Sequence, residues 1–233
     1  NIMQILWKGQ SCFQITAVPA KNSHALQNFA QRNLGGQVKI VIDPYSDELG
    51  LRLPKLEADI VLVTHSHFDH NNVKAVAGQG PFLVEGPGEY EAKGVMIQGI
   101  HSWHDQEEGA ARGSNTIYTI EVEEMRLCHL GDLGQKELTS EQLEKIGQVD
   151  ILMIPVGGTF TIDARAALKT MSQLEPKITI PMHYALPKLK VKLDGVDKFL
   201  KEAGVKRVEP EAKLTVKKRD LPEEEAKVVL LQA

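Results

Sequence analysis

Cysteine is scarce in this 233-residue chain: Cys12 and Cys128 are the whole supply. Two thiols so far apart make neither a disulfide framework nor a metal-binding cysteine pair, so both are expected as small, reduced core residues. Long apolar runs are missing as well. None approaches the roughly 18 residues that a membrane-spanning helix needs, and the opening "NIMQILWKGQ" lacks the basic-then-apolar layout of a secretory leader. A cytoplasmic protein without a membrane partner is the expectation. Positive charge is not in excess either. With 27 Lys and Arg against 31 Asp and Glu, the formal net charge is -4, which argues against a protein built to neutralise nucleic-acid phosphates. The short basic stretches Lys188 to Lys192 and Lys217 to Arg219 read as solvated faces.

No repeat, low-complexity segment or linker divides the chain, so residues 1–233 are read as a single domain. What is present is a recurring layout. Short apolar runs read as strands, and five of them end in carboxylates or imidazoles: "VKIVIDP" at Asp43, "DIVLVTH" at His65, "GVMIQGIHSWHD" at His104 and Asp105, "MRLCHLGD" at Asp132 and "KITIPMH" at His183. Helical signals lie between the later strands. "LTSEQLEKIG" opens on a Thr139/Gln142 capping box and closes at Gly147, "TIDARAALKTMSQLEP" runs up to Pro176, and "LDGVDKFLKEAG" ends at Gly204. Two runs flanking Glu123 and Glu124 read as a hairpin. Strands pair first as hairpins and later alternate with helices, so the class is mixed α/β. The polar segment 19–37 is expected to be a helix-containing insertion, and the C-terminal stretch from Ala212 a strand, an acidic turn and a further short strand. That stretch finishes the sheet or supplies a homo-oligomer contact.

The chemistry concentrates in "THSHFDH", Thr64 to His70, directly after the strand "IVLV". Three of the eight histidines and one aspartate stand here at n, n+2, n+4 and n+5, a spacing at which a loop or first helical turn aims several heads at one point. Imidazole and carboxylate are the ligands that zinc, manganese and iron accept. Two metals about 3.5–4 Å apart need roughly six or seven protein ligands. His65, His67, Asp69 and His70 supply four, and the other strand ends offer His104, Asp132 and His183. Asp132, at a Gly131-Asp132 corner, is suited to bridging, since each carboxylate oxygen can take one metal.

This set, together with "GPGEYEAKGV", "RGSNTIYTIE", "PVGGTFTIDARAA" and "PMHY", resembles the five-motif signature of the metallo-β-lactamase superfamily. The likeness is to its small metal-dependent hydrolases related to ascorbate-6-phosphate lactonase, over essentially the whole chain. The resemblance implies a four-layer αββα sandwich of mixed sheets with the metals at one edge. It implies that His65, His67 and His104 hold one metal, that Asp69, His70 and His183 hold the other, and that Asp132 bridges them. His101 and His104 stand near the same strand end, and the family pattern selects His104. His24 and His129 are read as surface or packed structural histidines. Asp43, as "IDP", either starts a turn or orients a ligand histidine, and the family pattern favours the second role. The chain departs from the pattern at Gln10, where "WKGQSCF" stands against a stretch that often carries histidine at this place, outside the ligand set.

The expected activity is hydrolysis by metal-bound hydroxide of a small, anionic ester, lactone or phosphodiester, with two divalent ions, zinc first and manganese or iron as alternatives. Asp69 and Asp132 are the candidate catalytic carboxylates, Asp69 to orient or deprotonate water. Asn115 and Tyr184 are candidate substrate contacts, weighed equally against a turn residue and a half-buried aromatic. No G-x-S-x-G elbow supports a serine nucleophile. The alternatives are a non-catalytic metal-binding or sensing module, and a nuclease, for which no basic arm is visible. A di-iron oxidoreductase would carry glutamate at His67.

Overall fold

A computed structural model of the chain describes residues 1–19 and 36–233. His24 and most of the expected 19–37 insertion lie outside the described residues. The elements are β1 (Met3–Trp7), β2 (Phe13–Ala17), β3 (Val38–Ile42), β4 (Leu56–Glu57), β5 (Ile60–Val63), β6 (Val76–Ala77), β7 (Phe82–Glu85), β8 (Gly88–Ala92), β9 (Val95–Trp103), β10 (Ser114–Val122) and β11 (Met125–His129). They continue with α1 (Ser140–Ile146), β12 (Ile151–Pro155), α2 (Ala164–Leu174), β13 (Ile178–Met182), α3 (Val196–Glu202), β14 (Leu214–Val216) and β15 (Lys227–Val228).

Two sheets face each other in a four-layer α/β sandwich. The first has the order β14-β1-β2-β3-β5-β7, the second β15-β13-β12-β11-β10-β9-β8. The pleat sorts side chains by period two. Ile40, Ile42, Ile60 and Leu62 point into the core shared by both sheets, whereas Val41, Val61 and Val63 point outward into a smaller cluster with Tyr45, Leu49 and Leu56. Strands β5, β12 and β13 are buried at every position, as their unbroken apolar sequences require for strands covered on both faces. Helix α1 packs on β9, and α2 packs on α3. Each fully buried isoleucine or leucine of this core contributes about 1.5–3 kcal/mol.

The sequence signals for these elements are realised in their details. Both hydrogen bonds of the Thr139/Gln142 capping box form, and Gly147 caps the end of α1. Glu123 and Glu124 both adopt positive φ, 54° and 62°, the backbone that a two-residue hairpin turn demands. The C-terminal stretch completes both sheets, since β14 pairs with β1 and β15 with β13.

Strand direction explains how the chemistry is gathered. β3 and β5 are parallel neighbours. In the second sheet β9 and β11 both run antiparallel to β10, and β11, β12 and β13 are mutually parallel. The C-terminal ends of β9, β11 and β13 therefore share one edge. Tyr118 of β10 bolts that sheet to the end of β5: its hydroxyl donates to the Val63 carbonyl at 2.8 Å and accepts from Gly86 N–H at 2.9 Å. Thr116 N–H adds a bond to the Thr64 carbonyl at 2.9 Å.

Candidate metal centre

Asp43 is the foundation of the site. It is fully buried and has a φ of 47°, a left-handed backbone that persists only where surrounding contacts impose it. One oxygen accepts Thr64 N–H at 2.8 Å, and the other accepts the Thr64 hydroxyl at 2.7 Å and His70 Nδ1–H at 2.8 Å. Thr64 passes the constraint on, because its oxygen lies 3.0 Å from His65 Nδ1. With its hydroxyl proton committed to Asp43, Thr64 accepts from His65, so both histidines keep Nδ1–H and turn Nε2 to the centre. The sequence suggested one oriented histidine; Asp43 directs two.

His65, His67 and His104 form one group, and Asp69, His70, Asp132 and His183 a second; within each group the potential ligand atoms lie within 4.8 Å of one another. Asp132 joins them through a single atom. Its Oδ2 lies 3.5 Å from His104 Nε2 in the first group, and 3.2 Å and 3.1 Å from His70 and His183 Nε2 in the second. Its other oxygen, Oδ1, accepts the Ser11 hydroxyl at 3.1 Å.

Burial and charge suit cations. Among the described residues, His65 Nε2 is buried without a hydrogen-bond partner, a state that costs free energy unless something accepts the lone pair. Burial, reinforced by charge on His70, pushes His65 down to about 2, and burial lowers His104 as well. Burial alone would lower His70 too, but Asp132 and Asp43 outweigh it and hold it well above the ordinary imidazole range. Burial would raise Asp69 and Asp132. The His70 hydrogen bond and charge nonetheless hold Asp69 at about 2, and the His183 and His70 charges hold Asp132 well below the usual range. Asp69 and Asp132 among the inward-turned imidazoles thus favour positive charge at this point. The donor set, mixed nitrogen and oxygen, fits zinc, manganese or iron.

A model of the beta-lactamase superfamily domain matches residues 29–183. The chain belongs to this superfamily. A proposed zinc-dependent hydrolase of the metallo-β-lactamase superfamily from Thermotoga maritima is 32% identical, covers 98% of each chain and superposes with a TM-score of 0.72. A metal-dependent hydrolase from Thermococcus onnurineus is 29% identical over 175 residues, 64% of this chain and 78% of the relative. A metallo hydrolase from the archaeon Ignicoccus hospitalis, 19% identical, shares the fold with a TM-score of 0.62 over 93% of this chain and 99% of its own.

For this superfamily member, the structure sorts the remaining candidates. His104 joins the first group, whereas His101 is exposed, packs edge-on against Trp103 at 4.3 Å and stands apart from both groups. His129 is a structural histidine, with Nδ1 accepting Gly131 N–H at 3.1 Å and Nε2 donating to the Ser11 carbonyl at 2.9 Å.

Asn115 does not reach a rim. It is fully buried, with its NH2 donating to Ser102 Oγ and the Leu130 carbonyl and its oxygen accepting Asp132 N–H at 2.9 Å. Every polar atom is committed to holding the Gly131-Asp132 corner, which leaves nothing for a substrate. Tyr184 is buried against Trp7, ring centroids 4.8 Å apart, on an apolar groove shared with Leu186 and Leu230. Neither side chain lines the cleft that opens onto His65 and His67.

Two glycines allow the ligands to sit where they do. A Cβ at Gly157 would come 2.1 Å from the His183 carbonyl oxygen, and one at Gly134 would come 2.3 Å from the His104 carbonyl carbon. No side chain larger than hydrogen fits at either place.

Two contributors to the site carried no local sequence signal, Ser11 and Thr64 in its relay role, and Gln10 was marked only as a departure from the family pattern. Gln10 lies on the second group, its Nε2 3.1 Å from Asp69 Oδ2 and 2.7 Å from His183 Nε2. The "KGQS" turn could have drawn attention to it, since a glycine before a polar residue marks a tight connection.

Proposed function

We propose that this chain is a dinuclear metal-dependent hydrolase acting on a small anionic ester, lactone or phosphodiester. The observation that carries the reading is the single Asp132 oxygen placed between His104 on one side and His70 and His183 on the other. His65, His67 and His104 would hold one ion, Asp69, His70 and His183 the other, with Asp132 between them. When bound, the pair of ions supplies water activated near neutral pH and polarises the oxygen under attack.

The protein side of the chemistry follows from the same contacts. Asp69 is partly open to solvent beside the second group and is ionised, so it can orient the attacking water through a hydrogen bond. Asp43 and Thr64 keep the His65 and His70 lone pairs directed inward throughout.

A cleft of about 460 Å³, within the size range of small-molecule sites, opens onto His65 and His67 and is lined by Ser66, Glu85, Arg112 and Ser114. Arg112 sits on a rigid loop whose backbone N–H groups, from Glu107, Gly109, Ala111 and Arg112 itself, all donate to the Asp105 carboxylate at 2.7–3.0 Å. Its guanidinium stacks 4.4 Å from the Phe160 ring centroid. A cation fixed at the mouth of the cleft supports an anionic substrate, because guanidinium pairs well with carboxylate or phosphate.

The test is turnover of lactone, ester and phosphodiester panels by metal-stripped and reloaded protein. Metal-dependent turnover of at least one anionic class is expected. On that substrate Arg112→Ala should raise KM about tenfold with kcat nearly unchanged, the pattern of lost uniform binding. Two bound ions with no turnover on any panel would favour a metal-binding module instead.

A further inference from the structure

We propose that Gln10 is an additional ligand of the second metal position, acting through its side-chain oxygen. The proposal rests on the two-metal reading above and extends it to a residue outside the His/Asp set. Gln10 forms the turn between β1 and β2 and is only 1% exposed. Its φ of 52° is a left-handed backbone that a non-glycine residue adopts only under constraint. The constraint is visible: the Gln10 carbonyl accepts Trp7 Nε1–H at 2.9 Å and His183 N–H at 3.0 Å. The backbone that carries His183 therefore also fixes Gln10, and the two side chains meet inside the site.

The amide end stands among ligand atoms. Its Nε2 is 2.7 Å from His183 Nε2 and 3.1 Å from Asp69 Oδ2, while Oε1 is buried with no hydrogen-bond partner among the described residues. Ligands held at about 2.1 Å from one cation lie about 3.0–3.5 Å apart by trigonometry. The amide end is thus near the spacing of a ligand sharing an ion with His183 and Asp69. Without an ion, its NH2 donates to Asp69 Oδ2 and stands against His183 Nε2. Once their lone pairs are directed at a cation, an NH2 group faces positive charge with nothing to accept its hydrogens. A half-turn about the last side-chain bond exchanges nitrogen and oxygen at nearly unchanged positions. The oxygen then faces the cation, and the NH2 takes the former place of the oxygen. A neutral amide oxygen suits harder ions such as manganese better than it suits zinc.

Manganese titration of the metal-stripped chain, followed by paramagnetic resonance, tests this together with the absorption spectrum of the cobalt-loaded protein. The wild type should bind two ions. Gln10→Leu should leave the tighter site unchanged, weaken the other roughly 10–100-fold, and intensify the cobalt bands as one site loses a ligand. Gln10→Glu, which supplies a charged oxygen at the same reach, should tighten that site. Should Gln10→Leu fail to fold by circular dichroism, Gln10→Glu decides alone, and unchanged binding overturns the proposal. Equal or tighter binding by a folded Gln10→Leu, with an unaltered cobalt spectrum, would show that the amide competes with the ion and would also overturn it. A wild type that binds fewer than two ions defeats the two-metal reading, and the proposal with it.

Discussion

Replacing Asp132 with alanine is expected to lower metal-dependent turnover by about a thousandfold or more while the chain remains folded. The reason is position. Asp132 Oδ2 stands within 3.5 Å of imidazoles from both groups, so its loss weakens both metal positions together. Stabilisation of transition-state charge by such ions is worth several kcal/mol, and about 4 kcal/mol is a thousandfold in rate at 25 °C. The fold does not hang on the side chain, whose partner beyond the two groups, among the described residues, is the Ser11 hydroxyl. Far-UV circular dichroism should match the wild type, and steady-state kinetics on the substrate found in the panels should show the loss in kcat and kcat/KM alike. A folded Asp132→Ala protein with near-wild-type turnover would remove the bridging role.

Asp43 should behave differently, with stability and metal binding lost together. Asp43→Ala deletes a fully buried carboxylate that accepts three hydrogen bonds and leaves His70 without its counter-charge. Breaking a buried charged pair from one side costs about 3–5 kcal/mol. For a domain of this size that lowers Tm by about 6–20 °C, which calorimetry would read directly. Asp43→Asn separates the two roles. Asparagine can still accept Thr64 N–H, but its NH2 faces His70 Nδ1 and drives that proton to Nε2, the atom the second metal position needs. The variant should retain most of its stability and yet bind the second ion roughly 10–100-fold more weakly. Undiminished metal affinity in Asp43→Asn would show that the His70 tautomer is not set from below.

Much of the site was readable because its ligands sit at strand ends. A strand announces itself by composition, and the residue after its last apolar position is fixed at the sheet edge. Asp43, His65, His104, Asp132 and His183 were all found this way, and parallel β11, β12 and β13 explain why distant ends meet. The choice of His104 over His101 rested on family pattern alone, since both are histidines near the end of β9. Only the fold shows His101 turned to Trp103.

What escaped has a common physical cause. Ser11 meets Asp132 across 121 positions, and Gln10 meets His183 across 173. Such contacts leave no periodicity for a single sequence to display. Asn115, weighed equally as a substrate contact and a turn residue, hid its role for the same reason: a polar residue at the start of a strand reads as exposed until the Gly131-Asp132 corner folds over it.

The most direct test of the two-metal centre is native mass spectrometry of metal-stripped protein reloaded with manganese or zinc. The wild type should hold two ions per chain, and Asp132→Ala fewer than two under the same conditions. A wild-type chain saturating at one ion, or an Asp132→Ala chain still holding two, would contradict it.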